Sequence, residues 1–200
     1  MSLVVIETGV ANMASVVAAL RRQGLDPVLS QAADVVWRAD RVVLPGVGTF
    51  AEGMKALGSA NLVEPLKERI AQGRSTLGIC LGLQLFAESS EESPGVQGLG
   101  ILSAQVTSFP AELVVPQFGW NRVTSGAVCA GDGGYAYFAN SYRIETTPDT
   151  WQVSTTMYGG PFSSMVQRGS VVGCQFHPEL SGEYGAAAIQ RWLEMEVSPC

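Results

Sequence analysis

Short β-branched runs alternate with stretches of helical apolar spacing through the first half of the chain, and this alternation restricts the fold to β-α units that feed a mainly parallel sheet. Leu3–Ile6 reads as a first strand. Asn12 is placed to cap a helix that carries Val16, Val17 and Leu20 before Gly24 ends it. Val28-Leu29 reads as a second strand, and residues 41–44 as a third that Pro45-Gly46-Val47-Gly48 stops. Residues 62–71 repeat Leu62, Leu66 and Ile70 at helical spacing, and residues 76–79 return to strand. Beyond about residue 90 the pattern becomes punctuated by Gly and Pro. Short strands are expected there at 135–138, 151–155 and 171–176, as antiparallel additions, with an Ala-rich closing helix at 185–193. The fold class is α/β.

The 200 residues suit one domain spanning 1–200, since such a chain buries a full core but seldom divides. With 46% hydrophobic and 15% charged residues it is too apolar for disorder, yet it has no continuous apolar stretch of membrane-spanning length. Twelve Lys and Arg stand against 18 Asp and Glu, without a basic cluster, so neither nucleic acid nor an anionic membrane is an expected partner. Small molecules or proteins are. The start lacks the basic and long apolar segments of a secretory signal, which points to the cytoplasm. Cysteines at 80, 129, 174 and 200 form no C-x-x-C pair, so free thiols are expected and no metal is called for.

Gly78-Ile79-Cys80-Leu81-Gly82 has the form G-x-nucleophile-x-G between an apolar strand and a helical pattern running to Phe86. In such an elbow the glycines give the turn room, the side chain is lifted out of the sheet, and the helix start favours a thiolate. Taken by itself, the spacing is equally compatible with a buried small residue between glycines. The only histidine, His177, follows the apolar run 171–176, and Glu179 lies two residues beyond it, placed to take an imidazole N–H as the third member of a triad does. An isolated H-P-E is more often structural; coupled to the elbow, the balance reverses. Attack on a carboxamide also needs oxyanion donors. Leu81 supplies one backbone N–H, and Gly46, Val47 and Gly48 form a second glycine-bearing turn whose peptide can rotate toward the site, although an ordinary turn is its commoner meaning.

With these residues in view, the chain resembles the class I glutamine amidotransferases along its whole length. The resemblance rests on Leu44-Pro45-Gly46-Val47-Gly48, Gly78 to Gln84, Pro116 to Asn121, Tyr137 to Tyr142 and Gln175-Phe176-His177-Pro178-Glu179. G-W-N and N-S-Y resemble the histidine-biosynthesis branch in particular. The resemblance implies a three-layer, flavodoxin-like domain without metal or organic cofactor. It implies that Cys80 forms a γ-glutamyl thioester, that His177 moves the proton and Glu179 orients it, and that Gln84, Asn140, Ser141 and Tyr142 hold L-glutamine. Its implied partner is the (β/α)8 cyclase subunit of imidazole glycerol phosphate synthase, in a heterodimer. Asn12, Trp120, Asn121 and Leu180 then fall near the shared face, although a buried Trp in a loop and two turn asparagines are the ordinary meaning of such residues.

Several positions depart from the family pattern. Glu7 to Asn12 replaces D-Y-G-x-G-N, Asn140 replaces a frequent histidine, Gln117-Phe118 replaces a His-Met pair, and Leu180 stands where a lysine is usual. None touches the triad. Amidotransferases of purine or pyridoxal phosphate synthesis share the triad, but G-W-N argues against them. A non-catalytic subunit would be expected to lack Cys, His or acid; a redox-sensing thiol would be indifferent to glutamine.

Overall fold

Leu3 and Val5 of β1 (Leu3–Ile6) belong to one apolar cluster, while Val4 and Ile6 belong to another, as the two-residue period of a strand buried on both faces requires. The same division follows Val43 against Val42 and Leu44 in β3 (Arg41–Gly46). The first cluster is covered by Val16 and Leu20 of α1 (Met13–Arg22) and by Ile189 and Trp192 of the C-terminal helix. The second takes Val36 of α2 (Ala33–Arg38), Phe50 and Leu57 of α3 (Phe50–Ser59), and Leu66 and Ile70 of α4 (Val63–Ala71). Helices thus close both faces of one sheet, giving a three-layer α/β fold. The computed structural model describes residues 2–9 and 13–196; Asn12, expected as a helix cap, lies outside the described residues.

After β2 (Val28–Ser30) and β4 (Thr76–Cys80) the chain makes a single helical turn, α5 (Leu81–Gln84). It then forms β5 (Ser89–Ser90), β6 (Gln105–Ser108), β7 (Gln117–Val123), β8 (Gly134–Asn140) and β9 (Tyr142–Ile144). The last elements are β10 (Gln152–Met157), β11 (Pro161–Arg168), β12 (Val171–Cys174) and α6 (Gly182–Leu193). The seven-stranded sheet has the order β10-β11-β12-β4-β3-β1-β2. Its parallel part, read from β2, follows the flavodoxin-like order, in which the crevice beyond the carboxyl ends of the strands is the place for a ligand. β7 and β8 form a separate antiparallel ribbon, and β5, β6 and β9 a small third sheet.

Three expectations change. The segment at 171–176 is not simply an antiparallel addition: β12 is antiparallel to β11 but parallel to β4, so it sits inside the sheet and brings His177 beside the end of β4. Pro45 and Gly46 do not stop the third strand; they pair with Ile79 and Cys80, and Pro45 is tolerated because β1 pairs with β3 only as far as Val43. The helix after Cys80 is one turn, too short for a large helix dipole. Two helices escaped the reading. α3 had a legible signal in Thr49-x-x-Glu52, which forms a capping box, whereas α2 carries no side-chain cap.

Candidate active site

Cys80 adopts φ +54 and ψ −108 as β4 turns into α5, a backbone conformation that costs a β-carbon-bearing residue about 1–3 kcal/mol. The surroundings impose it. A β-carbon on Gly82 would lie 1.9 Å from the Leu44 carbonyl oxygen, and one on Gly78 would lie 2.9 Å from the Gly82 backbone and the Phe86 ring. Both flanking glycines are therefore demanded by space, and the elbow is pressed against β3, where Gly46 pairs with Cys80. This favours the nucleophile reading over a merely buried cysteine. Cys129 and Cys174 are buried thiols of a different kind: burial pushes Cys129 up to about 12 and Cys174 well above the usual range, so both stay protonated.

His177 follows β12 and is fastened to the ribbon, its backbone N–H donating to Tyr137 O at 2.9 Å. Ser181 Oγ donates to His177 O and accepts from Tyr137 N, locking the turn that contains Pro178 and Glu179. His177 Nδ1 lies 2.9 Å from Glu179 Oε1, and the two side chains are only 9% and 3% exposed. Burial opposes the imidazolium, but hydrogen bonding to Cys80 and Glu179 and the charges of both outweigh it and raise His177 to about 10. Because Nδ1 is occupied by Glu179, Nε2 is left for the Cys80 side. The thiol, the imidazole and the carboxylate expected from sequence are thus brought together from two parallel neighbours, β4 and β12.

The same thiol and imidazole line a pocket of about 320 Å³ with Val47, Gly48, Leu81, Gln84, Glu92, Phe118, Ala139, Asn140, Ser141 and Tyr142. All but one of the expected oxyanion and glutamine-binding residues reach it. The exception is Gly46, which lies inside β3; a β-carbon there would meet Leu81 Cβ at 2.9 Å, so Gly46 serves close packing rather than the pocket wall. Gly48, at φ +98, gives the loop its turn. Gln84 Nε2 donates to Tyr142 O at 3.1 Å and to Gln175 Oε1 at 3.0 Å. Asn140 Nδ2 donates to Tyr142 O at 3.0 Å, and its buried Oδ1 has no partner among the described residues.

Glu92 and Gln175 were missed. Glu92 brings a carboxylate to the pocket and accepts from Phe50 N at 2.7 Å; its sequence context, a polar stretch after α5, offered no signal. Gln175 stood within the histidine motif but had no assigned role. Of the expected interface residues, Trp120 is not buried in a loop: it is 58% exposed on β7, edge-on to Tyr137. Leu180 is 41% exposed, Asn121 is tied to Met157 O at 3.0 Å, and Asn12 is outside the described residues. Among the described residues no group of three or more His, Cys, Asp or Glu side chains is arranged to hold a metal, and no helix is long and apolar enough to cross a membrane.

The family model described as glutamine amidotransferase class-I matches residues 4–194. The chain is 42% identical over 203 residues to the imidazole glycerol phosphate synthase subunit HisH of Yersinia pseudotuberculosis, with 98% of this chain and 100% of the relative covered. The subunits of the same name from Salmonella typhimurium and Escherichia coli K12 show the same identity and coverage. Among solved structures, a glutamine amidotransferase superposes with TM-score 0.78 at 18% identity, covering 96% of this chain and 97% of the other. PurLQS from Thermotoga maritima gives 0.71 at 17%, covering 96% and 97%, and at such identity the likeness concerns the fold.

Proposed function

Since the chain belongs to the class I glutamine amidotransferases, we propose that it is the glutaminase subunit of imidazole glycerol phosphate synthase, releasing ammonia from L-glutamine at Cys80 and passing it to a cyclase subunit. The observation that carries this reading is the convergence, on one small pocket, of a strained elbow cysteine and a histidine held by a buried carboxylate. The full-length identity to HisH subunits supports the pathway.

Cys80, as thiolate beside a protonated His177, attacks the side-chain carbonyl carbon of glutamine. The oxyanion that forms is taken by the Leu81 N–H and a peptide N–H of the Val47-Gly48 turn. His177 gives its Nε2 proton to the departing nitrogen, ammonia leaves, and a γ-glutamyl thioester remains on Cys80. Neutral His177 then takes a proton from water, the hydroxide equivalent attacks the thioester, and glutamate leaves as the thiolate and imidazolium are restored. Glu179 stays ionised throughout, fixing the ring and its charge. Glu92 suits the substrate ammonium, while Gln84 and the Asn140 carbonyl accept its other donors.

The ammonia is consumed by a (β/α)8 cyclase that forms imidazole glycerol phosphate and an aminoimidazole carboxamide ribonucleotide, the two subunits forming a heterodimer in the cytoplasm. Trp120, Asn121 and Leu180 belong to the face that meets it. The test is ammonia release by the purified chain, alone and with a histidine-pathway cyclase carrying its nucleotide. Strong stimulation by the loaded cyclase supports both chemistry and pathway; activity indifferent to the cyclase removes the pathway, and no activity in either mixture removes the enzyme.

A further inference from the structure

Gln175 is fully buried at the end of β12, and its side chain lies between the pocket wall and the nucleophile. Its Oε1 accepts from Gln84 Nε2 at 3.0 Å, which fixes which end of the amide is which, so Nε2 is the end that faces Cys80 Sγ, at 3.6 Å. That length suits an N–H donor on sulfur. Its backbone N–H is held in turn by Ser164 O at 2.9 Å. Gln84 spends both amide hydrogens, on Tyr142 O and on Gln175, so toward the pocket it offers only its carbonyl oxygen. A buried amide that donates to a thiol gains most when that thiol is ionised, because a charge-assisted bond is stronger than a neutral one and is strengthened further by burial.

We propose that Gln175 is a second donor to the Cys80 thiolate, opposite in role to His177. It holds the sulfur and its charge but transfers no proton. Gln84 positions Gln175, so two consecutive amides join the wall that meets glutamine to the sulfur that attacks it. A substrate donor on the Gln84 carbonyl polarises that amide and strengthens its N–H toward Gln175, and the effect passes on to the sulfur. The assignment rests on Cys80 being the glutaminase nucleophile.

The experiment is alkylation of Cys80 by iodoacetamide, itself a small carboxamide, across pH in the full chain, with Cys80→Ala as the blank for the other thiols. Steady-state glutamine hydrolysis with the loaded cyclase is measured alongside. Gln175→Met removes the donor at similar volume, and Gln175→Glu keeps the shape but replaces the donor by an acceptor. Loss of one charge-assisted bond should raise the pH midpoint of alkylation by about one unit in Gln175→Met, and by more in Gln175→Glu. It should also lower kcat about tenfold while KM stays within about twofold. Unchanged midpoints in folded variants overturn the assignment, as does failure of both variants to fold, which would make the residue structural. A shifted midpoint in a chain that releases no ammonia would keep Gln175 as a thiolate donor and remove the glutaminase reading instead.

Discussion

The floor and the rim of the pocket differ in almost every physical respect. The floor consists of Cys80 at the end of β4, Gln84 in α5, and Gln175, His177 and Glu179 beyond the end of the parallel neighbour β12, all with buried side chains joined by the contacts given above. The rim is Val47, Phe118 and the outer side of the β7–β8 ribbon, where Phe118 is 69% and Tyr135 62% exposed. In such a floor every side chain is oriented by another protein group, although Glu179 Oε2 has no partner among the described residues. A large apolar surface beside a reaction site is instead what a partner would cover, as interfaces are rich in aromatic side chains. On the function proposed above, the chemistry falls to the floor and the contact with a second subunit to the rim.

The sharpest way to break this comparison is at the sulfur. Cys80→Ala should lower ammonia release by about four orders of magnitude or more, while synthesis fed with ammonium through the cyclase persists. Loss of both without unfolding would show that the floor also serves the partner. Glu179→Gln should reduce kcat by about a hundredfold or more with little change in KM, since the ring loses its orienting charge; a change confined to KM would count against the triad. At the rim, Trp120→Ala should weaken cyclase binding roughly thirtyfold, read by titration calorimetry, and leave unstimulated hydrolysis within about twofold. An equal loss in both would mean that Trp120 supports the floor.

The proton on His177 gives a smaller and more gradual effect. The ordinary value of about 6.5 applies in the unfolded chain, and folding raises it to about 10. The folded state therefore binds this proton more tightly. Its contribution to stability is complete below about pH 6.5 and disappears as pH rises toward about 10. Denaturation midpoints measured across that window should fall, and Glu179→Gln should flatten the decline; a profile that rises would contradict the ion pair. Smallest of all, Leu180→Lys should change cyclase affinity by about 1 kcal/mol or less and make it more salt-dependent. Salt-independent binding would place residue 180 away from any charge on the partner.

How much of this was legible varies by region. The β-α half could be read from its periodicity, because a parallel strand buried on both faces and an amphipathic helix leave different local patterns; β1, α1, α4 and β4 fall where expected. The second half was harder. Its strands are short, and pairing partners lie far apart in sequence, so β12 looked like an antiparallel strand although one of its neighbours, β4, is parallel.

The sequence alone set glycines two residues either side of Cys80, the spacing an elbow needs, and placed a carboxylate two residues beyond the single histidine. These are short-range facts of backbone and spacing. Tertiary structure decided that β12 lies beside β4, which is what sets His177 against Cys80, that Gly46 packs while Val47 and Gly48 face the pocket, and that Glu92 and Gln175 join the site. Those depend on strand order and on contacts between residues many positions apart, for which a single sequence carries no local pattern.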